Sequence, residues 1–157
     1  MDITDNVLPY IAGEEPKVEI EAQKILGLFS DGSIEKADFA VSAQCFRVDV
    51  IDGHTASVRV DLKQTATMED VVAAMRNFPS LDLYSSPKPF IEVLDEPSRP
   101  QPRLDRDRGD GMTITVGRVF PDNVFDYRFV SLSHNTVRGA AGSAILNAEL
   151  LIQRGII

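Results

Sequence analysis

Hydrophobic residues recur at two spacings along the chain, and each spacing predicts a different kind of element. Apolar positions three or four residues apart predict one helix over residues 14–28 and a second helix that begins at Thr67 and stops at Pro79. Thr67 is a favourable N-cap, and the acidic residues that follow it suit the first helical turn.

Alternation of apolar and polar residues predicts several strands. They are expected at residues 39–50, 55–62, 112–120 and 125–132, with a shorter strand near residues 91–94. The first two flank Asp52-Gly53, and a two-residue turn there would make a hairpin that pairs Ile51 with His54. The two strands on either side of Pro121 are expected to be antiparallel.

Two stretches show neither period and are predicted to be loops. Residues 29–38 contain the turn signal Asp31-Gly32-Ser33. Residues 95–111 are the most polar part of the chain, and their three prolines and mixed charge argue against a helix or a central strand. This second stretch is expected to be either a solvated loop or an arm that wraps a partner.

The chain ends in a predicted helix over residues 134–153, with Asn135 or Thr136 as its cap. Residues 139–144 are all small, and such a turn commonly lets another backbone or a ligand approach closely. The order of helices and strands predicts a single α+β domain over residues 1–157, with a mixed, largely antiparallel sheet.

Composition and charge exclude several function classes. The net charge of −8 argues against a nucleic-acid groove and gives no attraction to an anionic membrane. No apolar run approaches the roughly 20 residues that span a bilayer, and the first residues lack the pattern of a secretory signal. The single cysteine excludes an internal disulfide and fits a reducing compartment, so a cytoplasmic protein is predicted.

No metal site or nucleotide loop is predicted. The two histidines, His54 and His134, stand 80 residues apart, and no Cys or His pair has ligand spacing. No glycine-rich phosphate loop follows a predicted strand, and Gly139 and Gly142 have the wrong spacing and context for a dinucleotide site.

Four polar residues stand out against the apolar pattern. Arg47 lies inside a predicted strand, and His54 follows the turn, so the two could offer an anion anchor beside a group that titrates near neutrality. The alternative is a surface hairpin with an exposed histidine and a snorkelling arginine. Glu21 interrupts the apolar stripe of the first helix, and Lys24 lies one turn away, which could equally be a surface ion pair.

Three blocks of the sequence together resemble one family. They are Asn-Val-Leu-Pro-Tyr-Ile at 6–11 with Glu-Ile-Glu-Ala-Gln-Lys-Ile-Leu at 19–26, Arg-Val-Asp-Val-Ile-Asp-Gly-His-Thr at 47–55, and Arg-Pro-Gln-Pro-Arg-Leu-Asp-Arg at 99–106 with His-Asn-Thr-Val-Arg-Gly-Ala-Ala-Gly at 134–142. In order and spacing they resemble the C-terminal half of aspartate-semialdehyde dehydrogenases of the archaeal and fungal branch. The resemblance implies a dimerisation-domain fold with helices on one face of the sheet and no Rossmann domain.

The resemblance also implies roles for individual residues. His54 matches the acid–base histidine that activates a cysteine from the preceding half, and Arg47 matches the arginine that holds the substrate carboxylate. Glu21 matches the glutamate that binds the substrate amino group, and Lys24 the lysine near the phosphate. Asn135 sits where the returning helix of the family approaches the nicotinamide of NADP, so it is a cofactor-binding candidate when a nucleotide-binding half is present.

The departures from the family limit what these residues are expected to do alone. The nucleophile motif and the glycine-rich nucleotide loop are absent from the sequence, and Cys45 is expected to be a small buried hydrophobe. Phe46 stands where the family would have an asparagine. The chain alone is therefore expected to bind no NADP and to catalyse no hydride transfer.

Three functions remain open on the sequence. The first is the substrate-binding and dimerisation half of an aspartate-semialdehyde dehydrogenase, a homodimer that takes a small carbonyl or carboxylate ligand and works with a nucleotide-binding half, which could be separately encoded. The second is a repurposed enzyme that uses His54 with Arg47 or Glu21 for cofactor-free acid–base chemistry, such as isomerisation or cyclisation. The third is a non-catalytic dimerisation module. The first is preferred.

Overall fold

The chain gathers into two compact units, which are described separately. In the computed structural model, which describes residues 3–157, the first unit ends at Val50 and the second begins at Ile51. That all 157 residues form one domain stays a prediction.

Helix α1, Glu14–Ile25, is the only helix of the first unit within residues 3–50. It begins after Gly13, whose left-handed φ of 77° suits glycine, and Glu14 and Glu15 in its first turn favour the positive end of the helix dipole. No residue of α1 is buried, and Ile25 is 77% exposed. The apolar stripe that we predicted around Glu21 is therefore not a core face.

The strand predicted over residues 39–50 does not form. Polar side chains on one face of α1 bond to the backbone of this segment and replace the neighbouring strand that a sheet would need. The bonds are Gln23 Nε2 to the carbonyl oxygen of Phe39 at 2.8 Å, the amide of Ala43 to Glu19 Oε1 at 3.0 Å, and the amide of Cys45 to Glu15 Oε1 at 3.0 Å. We call these three bonds the α1 ladder.

The loop predicted over residues 29–38 contains a small hairpin. Strands β1, Leu28–Ser30, and β2, Ser33–Glu35, are antiparallel. Asp31 and Gly32 form its turn, with φ of 51° and 77°, which is the pattern that matches the twist of a two-residue hairpin. Each strand is only three residues long, too short for an alternation pattern to reveal.

The second unit is built on a four-stranded sheet in the order β3-β6-β5-β4. Its strands are β3, His54–Val60; β4, Ile91–Leu94; β5, Ile114–Pro121; and β6, Tyr127–Ser133. Only β4 and β5 are parallel, so the predicted α+β fold with a mixed, largely antiparallel sheet is confirmed. The predicted hairpin at Asp52-Gly53 is wrong, because β3 pairs with β6 and places His54 opposite Ser133.

The core of the second unit lies around the two central strands. Val116 on β5 and Leu132 on β6 are 4% and 1% exposed. Helix α2, Met68–Arg76, packs against β4 and β5. As predicted, Thr67 caps α2, and it forms a capping box in which its hydroxyl accepts from the Asp70 amide while the Asp70 carboxylate accepts from the Thr67 amide.

Part of the polar segment 95–111 packs against its own sheet, so it is not a fully solvated loop. That it wraps a partner stays a prediction. A side chain at Gly117 on β5 would clash with the carbonyl oxygen of Arg99, so the glycine lets the segment lie directly on the strand. The segment contains the short helix α3, Pro102–Asp105, and the Asp105 side chain is fully buried. This buried carboxylate accepts hydrogen bonds from both Arg99 and Arg108.

The chain ends in a helix that starts with one π-helical stretch. Residues Val137–Ala141 form the π-helix, and α4, Gly142–Gln153, continues it. Leu146 is the buried residue of α4. Across residues 3–157, no helix has the length and apolar character needed to cross a membrane.

Candidate functional site

Glu21 and Lys24 lie one turn apart on α1 and line the same concave surface. This pocket has a volume of about 360 Å³, and its apolar wall comes from Ile25, Phe29 and Ile34. Gly27 makes the wall possible, because a side chain there would clash with the carbonyl oxygen of Glu35 on β2. The structure thus brings together two of the predicted substrate-binding residues, one acidic and one basic, in a pocket with an apolar wall.

Arg47 is exposed and is held by its backbone. Its amide donates to the carbonyl oxygen of Leu8 at 2.9 Å, and the amide of Leu8 donates back to Arg47 at 3.0 Å. This isolated antiparallel bridge replaces the strand that we predicted around Arg47. The guanidinium is left in solvent, where it can meet a carboxylate.

Cys45 lies two residues before Arg47 and is only partly buried. Burial, followed by the carboxylates of Glu15, Glu14 and Glu19, raises the pKa of its thiol. A raised pKa disfavours the thiolate, which is the nucleophilic form, at neutral pH. The environment of Cys45 therefore gives it none of the activation that a catalytic cysteine needs.

His54 is the first residue of β3 and is exposed. Within residues 3–157 its imidazole has no hydrogen-bond or ion-pair partner, so both ring nitrogens face solvent. Gly53, directly before it, has a φ of 122°, and a side chain there would lie 3.2 Å from both Leu132 and Pro102. Only glycine fits this approach to the start of the strand.

The peptide bond between Asp52 and Gly53 is bonded at both of its polar atoms. Arg106 Nη1 donates to the carbonyl oxygen of Asp52 at 3.3 Å, and the amide of Gly53 donates to Asn135 Oδ1 at 3.0 Å. Of the two residues that we predicted as caps of the terminal helix, Thr136 occupies the N-cap position but its side chain makes no capping bond, and Asn135 lies before it. The side-chain oxygen of Asn135 serves the residue that precedes His54, so the structure brings these two predicted site residues together through Gly53.

His134 caps the first amides of the terminal helix, a role that the sequence analysis did not predict. His134 is 7% exposed, and its Nδ1 accepts from the amides of Thr136 and Val137, both at 3.3 Å. Because Nδ1 accepts, the ring proton of the neutral form is on Nε2, which lies 3.7 Å from Asp107 Oδ1. Residues 134–137 are therefore fixed from their N-terminal side by a buried side chain.

Sequence reasoning missed Arg106, Asp107 and the capping role of His134. Arg106 and Asp107 lie in the segment that we predicted to be a solvated loop or an arm that wraps a partner. Histidine is not among the residues usually preferred as helix caps. Among residues 3–157, no group of three His, Cys, Asp or Glu side chains is placed to hold a metal ion.

The family model for the semialdehyde dehydrogenase dimerisation domain matches residues 1–138. The aspartate-semialdehyde dehydrogenase of Archaeoglobus fulgidus is 55% identical over 155 residues, which cover 99% of this chain and 45% of that enzyme. The Aspergillus fumigatus enzyme is 52% identical, with 100% of this chain and 47% of the relative covered.

A solved structure of an aspartate semialdehyde dehydrogenase is also similar to this chain. The Candida albicans aspartate semialdehyde dehydrogenase with NADP superimposes with a TM-score of 0.89 at 46% identity, over 100% of this chain and 47% of that one. The chain spans just under half the length of these relatives. It belongs to the semialdehyde dehydrogenase dimerisation-domain family and corresponds to the C-terminal half of the aspartate-semialdehyde dehydrogenases.

Proposed function

We propose that this chain supplies the substrate-binding and acid–base half of an aspartate-semialdehyde dehydrogenase, an enzyme of amino-acid biosynthesis. The reaction is the NADP-dependent reductive dephosphorylation of aspartyl phosphate. The observation that carries the proposal is the chemistry of one pocket: Glu21 and Lys24 line it together, as expected for a substrate with both an ammonium and a phosphate group. The chain's membership of the family supports the same reaction.

Each charged group of the substrate has a complementary side chain. The planar guanidinium of Arg47 suits a bidentate grip on the substrate carboxylate. The carboxylate of Glu21 accepts from the substrate ammonium, and the ammonium of Lys24 provides a point charge for the phosphate. All three side chains are exposed, so none has to leave an internal partner to bind substrate.

His54 is the proposed acid–base residue. A histidine changes charge near neutral pH, and the exposed imidazole of His54 has both nitrogens available for proton transfer. In the complete enzyme it would take the proton of a cysteine thiol that the preceding half supplies, so that the thiolate can attack the carbonyl carbon.

NADP would contact this half through Asn135. Its Oδ1 is used by Gly53, whereas its Nδ2 has no hydrogen-bond partner in the described part of the chain, so a donor remains for an oxygen of the nicotinamide carboxamide. The cofactor supplies the hydride acceptor or donor. To cofactor binding, this chain would contribute the hydrogen-bond donor of Asn135.

We also propose a homodimer, because the chain belongs to a dimerisation-domain family. Sedimentation equilibrium of the purified chain should give twice the monomer mass of 17.3 kDa. A monomer at concentrations well above those of the assay would contradict this part of the proposal.

The proposed reaction can be tested by reconstitution. NADPH formation from aspartate semialdehyde, phosphate and NADP is measured with this chain alone, with a separately expressed nucleotide-binding half alone, and with both. Activity only in the mixture supports the proposal. An inactive mixture of two folded proteins that do bind each other would contradict it.

A further inference from the structure

We propose that Arg106 and Asn135 are positioning residues that clamp the Asp52–Gly53 peptide and thereby place His54 for proton transfer. We call this pair the peptide clamp. The clamp is inferred from two hydrogen bonds in the structure. Its effect on catalysis rests on the proposed role of His54.

The clamp acts on one rigid group. The carbonyl oxygen of Asp52 and the amide of Gly53 belong to the same planar peptide unit and point to opposite sides of the chain. Arg106 bonds the first at 3.3 Å, and Asn135 bonds the second at 3.0 Å. Two bonds on opposite edges of a plane oppose its rotation about the chain axis and so favour one orientation of the backbone that leads into His54.

The backbone before His54 needs these restraints because it contains Gly53. A glycine has more backbone freedom than any other residue, and its φ of 122° is a conformation that other residues rarely adopt. His54 is also the first residue of an edge strand. Pairing with β6 holds His54 from its C-terminal side, and the clamp holds it from its N-terminal side.

Polar side chains also lie between the two clamp residues. Arg106 Nε lies 3.7 Å from Asp107 Oδ2, and Asp107 Oδ1 lies 3.7 Å from His134 Nε2. His134 is buried, caps the terminal helix, and directly precedes Asn135. Asp107 therefore lies between Arg106 and His134, but both contacts are longer than a hydrogen bond. The clamp itself rests on the two hydrogen bonds to the Asp52–Gly53 peptide.

The orientation of the Asn135 amide follows from its partner. The Gly53 N–H can only donate, so the oxygen of Asn135 faces it and Nδ2 faces away. Asn135→Leu keeps the approximate shape but removes the acceptor. Asn135→Asp keeps an acceptor and removes the donor, which separates the clamp from the proposed cofactor contact.

The first measurement is amide hydrogen exchange by NMR on the chain itself. In Asn135→Leu, the Gly53 amide should exchange roughly tenfold faster, as expected for the loss of one hydrogen bond, while the amides that pair β3 with β6 keep their protection. Asn135→Asp should keep Gly53 protected. Asn147→Leu is the matched control, because Asn147 is exposed on the same terminal helix. Unchanged protection in Asn135→Leu would overturn the clamp.

The second measurement asks whether the clamp orders His54. The ¹⁵N order parameter of the His54 amide should fall in Asn135→Leu and in Arg106→Gln, and it should stay at the wild-type value in Asn135→Asp and Asn147→Leu. An unchanged order parameter in both clamp variants would overturn the positioning role, whatever the activity of the enzyme.

The third measurement is kinetic and uses the reconstituted enzyme. Arg106→Gln should lower kcat roughly ten- to a hundredfold, as small misplacements of a catalytic group do, with the KM values for aspartate semialdehyde and NADP unchanged. Unchanged kcat beside a lowered His54 order parameter would overturn the catalytic importance of the clamp. If the wild-type mixture is inactive, the proposed function fails, and the exchange and order measurements still decide the clamp.

Discussion

The two units carry the candidate site residues on different kinds of scaffold. Every buried hydrophobic side chain of residues 3–157 belongs to the second unit, where β5 and β6 provide the core. The first unit has no buried side chain among residues 3–50, and Ile25, Leu28 and Phe29 are 71–77% exposed. Its segment 39–45 is held by the α1 ladder of hydrogen bonds.

The two proposed tasks of the site, proton transfer and recognition of substrate charge, fall on different units. The proposed acid–base residue, His54, starts a strand of a packed sheet and is clamped through its backbone. The residues proposed to recognise substrate charge, Glu21, Lys24 and Arg47, lie on the unit without a buried core. Stability varies within a protein, and elements with few buried apolar contacts open at the lowest free energy. We therefore expect perturbations of the second unit to unfold the chain and perturbations of the first to open it locally.

The largest expected effect is on catalysis. His54→Ala should lower kcat of the reconstituted enzyme roughly 10²- to 10⁴-fold, the usual contribution of a general acid–base group. The free energy of unfolding should change by less than about 0.5 kcal/mol, because exposed side chains contribute little. Thr55→Ala, the exposed neighbour on β3, is the control. Near-wild-type turnover in His54→Ala would show that the proton is transferred by another group.

The largest expected effect on stability lies in the ion network of the second unit. Asp105→Ala should lower the free energy of unfolding by about 3–5 kcal/mol, because the charges of Arg99 and Arg108 lose a buried partner. Asp95→Ala, which breaks an ion pair whose carboxylate is 87% exposed, should cost less than about 1 kcal/mol. Urea denaturation measures both variants, and equal losses would contradict the contrast between buried and exposed charge.

The same carboxylate predicts how stability depends on pH. Burial alone would raise the pKa of Asp105, but hydrogen bonds from Arg99, the Gln101 amide and Arg108 outweigh it and lower the pKa from 3.8 to about 2. A carboxyl group with a lowered pKa in the folded state stabilises the fold above its unfolded pKa and loses that contribution as pH falls.

The fold should therefore lose about 2 kcal/mol from this group between roughly pH 5 and pH 2. Urea denaturation at a series of pH values measures this loss, and Asp105→Asn provides the comparison because it cannot titrate. If the slope in this window is the same for the wild type and Asp105→Asn, the loss of stability arises at other carboxyl groups.

Local sequence signals predicted the elements whose backbone bonds are made within the element or to a neighbouring strand. The N-cap at Thr67 and the alternation in β5 and β6 belong to this class. The alternation over residues 39–50 was equally clear, yet no strand forms there, because Glu15, Glu19 and Gln23 take the backbone bonds. Alternation in the sequence indicates which side chains would share a face of a strand. It does not indicate which groups the backbone bonds to.

The charges of segment 95–111 also gave a misleading prediction, because their partners in the fold cannot be identified from the local sequence. The segment 95–111 is rich in prolines and charges, which indicates solvation when read along the sequence. In the fold, two of its arginines, Arg99 and Arg108, pair with Asp105, which is 1% exposed. The roles of His54, Arg47, Glu21 and Lys24 came from the family resemblance, whereas the clamp on Gly53 joins residues 82 positions apart and has no local signal.

A moderate effect is expected at the substrate carboxylate. Arg47→Lys should raise the KM for aspartate semialdehyde roughly tenfold, because an ammonium cannot make the bidentate contact of a guanidinium. The free energy of unfolding should stay within about 0.5 kcal/mol of the wild type, since the Arg47 side chain is exposed. Arg154→Lys, at an exposed position near the end of the chain, is the matched control. A loss of stability without a change in KM would assign Arg47 to the fold alone.

The smallest expected effect tests the α1 ladder. Glu19→Ala removes the acceptor of the Ala43 amide and should lower the local opening free energy of this segment by about 1 kcal/mol, the net value of one hydrogen bond. Amide exchange should then become faster at Ala43 and Cys45, while the amides that pair β3 with β6 keep their protection. Lys17→Ala, at an exposed position on the same helix, should leave both sets unchanged. If Glu19→Ala instead exposed the amides of β3 as much as that of Ala43, the two units would open together, and the different construction of their scaffolds would have no consequence for local stability.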